Sequence, residues 1–101
     1  MMIAKWQIDA RFGHKQKVIE KMKEWEQTIG PKVGIISGRM LTGSIGALEA
    51  TVIHEWEVPD LAEIDRVWAK LPTIPEHIQW SKDLEPFVVS GTSRWEIFRV
   101  L

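Results

Sequence analysis

The sequence contains no cysteine. That removes disulfides, thiol nucleophiles and thiolate metal sites together, and leaves the redox setting of the compartment open. Tyrosine is absent as well. Charge of either sign is not in excess: the net charge is −1 and the pI about 6.3, so no electrostatic footprint points to nucleic acid or to an anionic membrane. No apolar run approaches the ~20 residues of a membrane span. The opening "MMIAKWQIDARFG" lacks the apolar core and cleavage pattern of a signal peptide, and a cytoplasmic protein is expected. With 101 residues, the chain suffices for one domain and not for two, so residues 1–101 are read as a single domain.

Tryptophan is what the chain has instead, with six residues. A buried indole brings a large apolar area and an N–H that needs a partner. Some of the six are therefore expected at a pocket wall or a subunit interface.

Periodicity divides the chain. Ile3 to Arg11 alternates, with Ala4, Trp6, Ile8 and Ala10 on one face, as in a half-buried strand. His14 to Ile29 switches to helical spacing through Val18, Ile19, Met22, Trp25 and Ile29, and "IGPK" stops it. Its Lys-Glu run is a solvated face with i,i+4 pairs. Val33–Thr42 and Leu48–Val58 read as strands joined by the turn "TGSIG". Pro59 ends the second of these and Asp60 caps a helix whose stripe is Leu61, Ile64, Val67, Trp68 and Leu71. A short helix is expected from Pro75 to about Leu84, and a long last strand from Phe87 to Leu101, bent at Ser90-Gly91.

The order β-α-β-β-α-β, with an extra short helix, predicts an α+β ferredoxin-like fold: a four-stranded antiparallel sheet with its helices on one face. Adjacent apolar pairs (Ile35-Ile36, Met40-Leu41, Val52-Ile53) point to opposite faces of their strands. The face without helices is thus apolar in part, and a two-fold pairing of sheets into a homodimeric barrel would cover it.

The segment "TVIHEWEV", Thr51–Val58, concentrates the polar chemistry. His54-Glu55 begins a zinc-protease signature, but the second histidine would fall at position 58, which is Val58, and His14 and His77 belong to other elements. No metal site is expected. Alternation puts His54 and Trp56 on one face, and Glu55 and Glu57 on the other. A histidine beside an indole can orient a ligand or act as a general base; equally, it can be a buried side chain satisfied by a carbonyl or carboxylate. Arg39 could hold a ligand carboxylate, or pair with Glu55, Glu57 or Glu96. Trp6 and Trp95, on neighbouring first and last strands, line a cavity or fill the core. Trp25 and Trp68 read as packing, and Trp80 as a lid or dimer contact. No Gly-x-Ser-x-Gly elbow and no phosphate loop is present.

"TGSIGALEATVIHEWEVPDLAEIDRVWAKL" resembles the NIPSNAP family of the dimeric α+β barrel superfamily. Ile45 and Gly46 match its hairpin turn, His54 and Trp56 its His-x-Trp strand end, and Asp60 and Leu61 its helix start; "RFGHKQKV" resembles the family's first helix entry. The resemblance implies the barrel fold and a homodimer. The wider superfamily includes cofactor-free monooxygenases, haem-handling enzymes and muconolactone-type isomerases, which use the barrel interior. The expected protein binds a small, partly apolar ligand in a Trp-lined cavity without a cofactor, with His54 as acid/base and Trp56, Trp6, Trp95 and Arg39 as ligand contacts. The alternative is a non-catalytic ligand sensor or interaction module of the same fold.

Overall fold

A computed structural model describes all 101 residues. Strands β1 (Met2–Asp9), β2 (Arg39–Thr42), β3 (Thr51–Val58) and β4 (Arg94–Arg99) form one antiparallel sheet in the order β2-β3-β1-β4. Helices α1 (Lys15–Thr28), α2 (Leu61–Lys70) and α3 (Pro75–Leu84) complete the ferredoxin-like arrangement. Asp60 caps α2 as its position implies, its carboxylate accepting the Glu63 N–H at 3.0 Å.

Register decides what faces the helices. Trp6 lies opposite His54 on one side and Trp95 on the other, Ala4 opposite Trp56 and Ile97, and His54 opposite Met40. Residues directly opposite in an antiparallel pair share a face. This face is the buried one: Ala4, Ile8, Val52, His54, Trp56 and Val58 all sit on it, joined by Val18 and Met22 of α1, Ile64 and Val67 of α2, and Trp80 and Leu84 of α3. No helix covers the other face. It carries Ile3, Ile53, Leu41 and Phe98 among ion pairs, Arg39 with Glu55 at 2.5 Å and Lys5 with Glu96 at 3.5 Å.

Two strands are much shorter than alternation predicts, and β3 begins at Thr51 rather than Leu48. Of the expected strand 33–42 only Arg39–Thr42 pairs. Gly30–Val33 instead forms a 3-10 turn, closed by Gly34 at φ +84°, and the Ile35 N–H bonds back to the Gly30 carbonyl rather than to a strand. Phe87 closes another 3-10 turn, Val88 makes an isolated bridge to Ala10, and a turn through Gly91 (φ +84°) precedes β4. In both places a glycine in the left-handed region, where side chains with Cβ are disfavoured, interrupts residues of high strand propensity. No helix is long and apolar enough to cross a membrane.

Candidate active site

Each of three strands and three helices contributes one tryptophan to the same place. Trp6 comes from β1, Trp56 from β3 and Trp95 from β4; Trp25 comes from α1, Trp68 from α2 and Trp80 from α3. All six line a single cavity of about 330 Å³, together with His54, His77, Ser81, Met22, Leu71 and Pro72. Its volume is at the lower end for small-molecule sites. Trp25, Trp56 and Trp80 are buried, whereas Trp68 and Trp95 are each 37% exposed and form the outer edge.

The rings make one connected assembly. Trp25 stands edge-on to His54 (centroids 5.7 Å), His77 (6.4 Å) and Trp80 (6.5 Å). His54 lies 5.5 Å from Trp56, Trp56 5.3 Å from Trp95, and Trp95 5.3 Å from Trp68. Trp6 meets Trp80 at 6.3 Å. Such tilted and edge contacts follow from the ring quadrupole. Three indole N–H groups have partners that hold the walls: Trp6 donates to Ser93 Oγ at 2.9 Å, Trp25 to His77 Nδ1 at 3.0 Å and Trp80 to the Lys21 carbonyl at 2.6 Å.

Two polar atoms lack such partners. Trp56 Nε1 and His54 Nε2 are sealed from water without an aligned hydrogen bond. His54 is 4% exposed. Its Nε2 lies 3.4 Å from Glu26 Oε2, close enough for charge attraction but not oriented as a hydrogen bond. Room for the ring depends on Gly38: a Cβ there would stand 2.9 Å from His54 Nε2 and 2.8 Å from the Glu55 carbonyl. Burial lowers the pKa of His54, with the Glu26 carboxylate opposing it, and burial also lowers that of His77. Both imidazoles are therefore neutral near pH 7. His77 accepts the Trp25 N–H at Nδ1, so its own proton is on Nε2. A neutral histidine can take a proton, and no lysine or arginine lines the space to hold an anion.

Those shifts fix a pH dependence. A histidine whose folded pKa lies below its unfolded value of about 6.5 stabilises the fold fully above that value; the contribution is lost as pH falls through the folded pKa. The urea midpoint is therefore expected to drop between pH 8 and pH 5. Glu63, Glu76 and Glu96, whose pKa values are also lowered, act only in a more acidic window. A midpoint constant from pH 8 to 5 would contradict neutral burial of the two histidines.

Of the residues singled out in the sequence, the fold brings His54, Trp56, Trp6 and Trp95 together. Arg39 is not with them. It lies on the opposite face of the sheet, paired to Glu55, in the ion-pair role that was its alternative. Nor does the cavity lie on the uncovered face of the sheet; it lies within the single chain, between sheet and helices. Trp25, Trp68 and His77 were missed as cavity residues, and Trp80, read as a lid or dimer contact, is a buried wall of the cavity. The spacing His77-x-x-Trp80 on one helix face was the available signal, and the two rings do stack at 6.1 Å.

Solved structures with this architecture are numerous. A NIPSNAP family protein from Agrobacterium tumefaciens superposes with a TM-score of 0.78 at 22% identity, over 100% of this chain and 94% of that one. The fold is that of NIPSNAP proteins. An antibiotic biosynthesis monooxygenase shares it at a TM-score of 0.69 and 10% identity, over 100% and 99% of the two chains. So does a dimeric protein of unknown function and ferredoxin-like fold from Bacteroides fragilis, at 0.64 and 15%, over 98% and 96%. No family model matches the sequence, and no curated protein does. The NIPSNAP fold accounts for the sheet order and for the helices on one face.

Proposed function

We propose that this protein binds one small, neutral, partly apolar ligand in the tryptophan cavity and moves a proton on it, with His54 as the acid/base and Trp56, Trp6 and Trp95 as walls. The observation that carries this reading is the convergence of all six tryptophans on one cavity that also contains a buried, neutral histidine. Apolar packing alone would not gather every indole of the chain around an open space, because interiors normally close to leave few voids. Arg39 has no part in the site.

The chemistry needs an acidic C–H or O–H on the ligand. His54 removes a proton from carbon beside a carbonyl; where the ligand also carries a β,γ double bond, returning the proton at the γ-carbon moves that bond into conjugation and completes an isomerisation. In the oxidative variant the resulting carbanion gives its electrons to molecular oxygen, a methylene and O₂ becoming a carbonyl and water. Neither route calls for a cofactor, and the fold shared with an antibiotic biosynthesis monooxygenase supports the second.

The fused-ring ketone 2-indanone is a suitable probe: neutral, of two rings, with activated methylene groups. It is expected to quench the indole fluorescence saturably and to exchange its methylene hydrogens with D₂O faster in the presence of protein. Binding without exchange would favour the sensor reading; no saturable quenching would remove both.

We also propose a homodimer through the uncovered sheet face, where Phe98 is 50% and Leu41 39% exposed. The dimeric Bacteroides fragilis protein of the same fold supports it. Light scattering should give twice the 11.7 kDa of the chain; a monomer at micromolar concentration would rule the pairing out.

A further inference from the structure

The proposed base has a neighbour to which neither its strand nor its cavity points. Glu26, on α1 immediately after Trp25, places Oε2 3.4 Å from His54 Nε2. His54 Nε2 is sealed from water, and the ring lines the cavity. A carboxylate accepts hydrogen bonds and cannot donate one, so the ring nitrogen that faces it is the one that carries the proton. We propose that Glu26 is the positioning residue of a Glu26–His54 pair, holding the Nε2–H tautomer and leaving the Nδ1 lone pair for a proton-donating ligand in the tryptophan cavity. This rests on the reading of His54 as the base.

The imperfect geometry fits the role. With His54 neutral, the contact is long and misaligned. Once Nδ1 takes a proton, the ring becomes a cation, and the same contact becomes a charge-assisted hydrogen bond, whose usual length is ~2.7–2.9 Å. Glu26 has the freedom to close that gap, since its side chain is 28% exposed while that of His54 is 6% exposed. Its attraction thus strengthens as charge develops, which is the condition for accelerating a proton transfer rather than only binding the ligand. The cavity offers no cation of its own, so the imidazolium would be the counter-ion of the deprotonated ligand.

The other groups around His54 do not compete. His77 on α3 stands beyond the Trp25 indole and is engaged by it. Trp6 of β1 and Met40 of β2, opposite His54 in the sheet, carry no charge. Glu55, next in β3, points to the other face and pairs with Arg39.

Nitrogen-15 NMR of the imidazole nitrogens in the ligand-free protein tests the pair. The wild-type neutral ring should be protonated at Nε2. Glu26→Gln removes the charge and offers a donor as well as an acceptor, so the Nε2–H tautomer is no longer enforced and His54 should titrate at lower pH. Glu26→Ala should give a mixture of tautomers and also a lower titration. A wild-type ring protonated at Nδ1, or a titration unmoved in both variants, overturns the proposal. The readout needs no ligand. Failure of 2-indanone exchange with the NMR result intact would therefore discredit the acid/base reading and not the pair; the reverse outcome would discredit only Glu26.

Discussion

Replacing His54 with alanine should slow the protein-dependent exchange of 2-indanone methylene hydrogens by about 10²- to 10⁴-fold, the usual contribution of a positioned general base, while the domain stays folded. Burial makes the second half of this expectation as informative as the first. A 4% exposed histidine would ordinarily be a packing residue, satisfied by the fold and destabilising to remove. Here Nε2 has no aligned hydrogen bond. Its charged neighbour is the Glu26 carboxylate, whose side chain is 28% exposed and can be solvated once the ring is gone, so the deletion leaves no buried charge behind and costs mainly the apolar packing of the ring. A large drop in exchange with a small change in urea midpoint is the signature of a side chain kept for chemistry. Unfolding of His54→Ala would return it to a structural role.

Trp25→Ala should have the largest effect on stability, about 3–5 kcal/mol. Against a total of ~5–15 kcal/mol for a domain, that is enough to leave the protein marginal. The indole is 7% exposed, contacts three rings edge-on and donates to His77 Nδ1. Removing it opens the cavity toward α1 and frees the His77 tautomer. Trp25→Phe separates these effects: most of the apolar area stays, the N–H goes, and a smaller destabilisation is expected together with a change in the His77 ring-nitrogen signals. Chemical denaturation of both variants measures the first quantity and NMR the second. A destabilisation below ~1 kcal/mol in Trp25→Ala, well under the usual cost of deleting a buried aromatic ring, would mean that the cavity walls do not depend on it.

Part of this site was legible without coordinates. Alternation alone put His54 and Trp56 on one face, and the β-α-β-β-α-β order made β1 and β4 neighbours, so that Trp6 and Trp95 face each other. Alternation cannot say which face the helices cover, because β3 carries apolar residues on both: Val52 points one way and Ile53 the other. The helix tryptophans read as packing for a related reason. Trp25 continues the stripe of Val18 and Met22, and a stripe at helical spacing looks the same whether it meets a filled core or the wall of a cavity. Gly38 carries no side chain for alternation to place; in the fold it makes space beside the imidazole. Arg39 sits one residue further along and its side chain emerges on the opposite side, which is why a strand arginine near the motif proved remote from the cavity.

Six tryptophans drawn from six elements wall one cavity, and its role as a ligand site is tested most directly by following the indole N–H signals in a nitrogen-15 correlation spectrum during titration with 2-indanone. All six are expected to move together along one saturable curve with a single dissociation constant. Movement confined to the exposed edge residues Trp68 and Trp95, or no saturable movement at all, would contradict a shared ligand cavity.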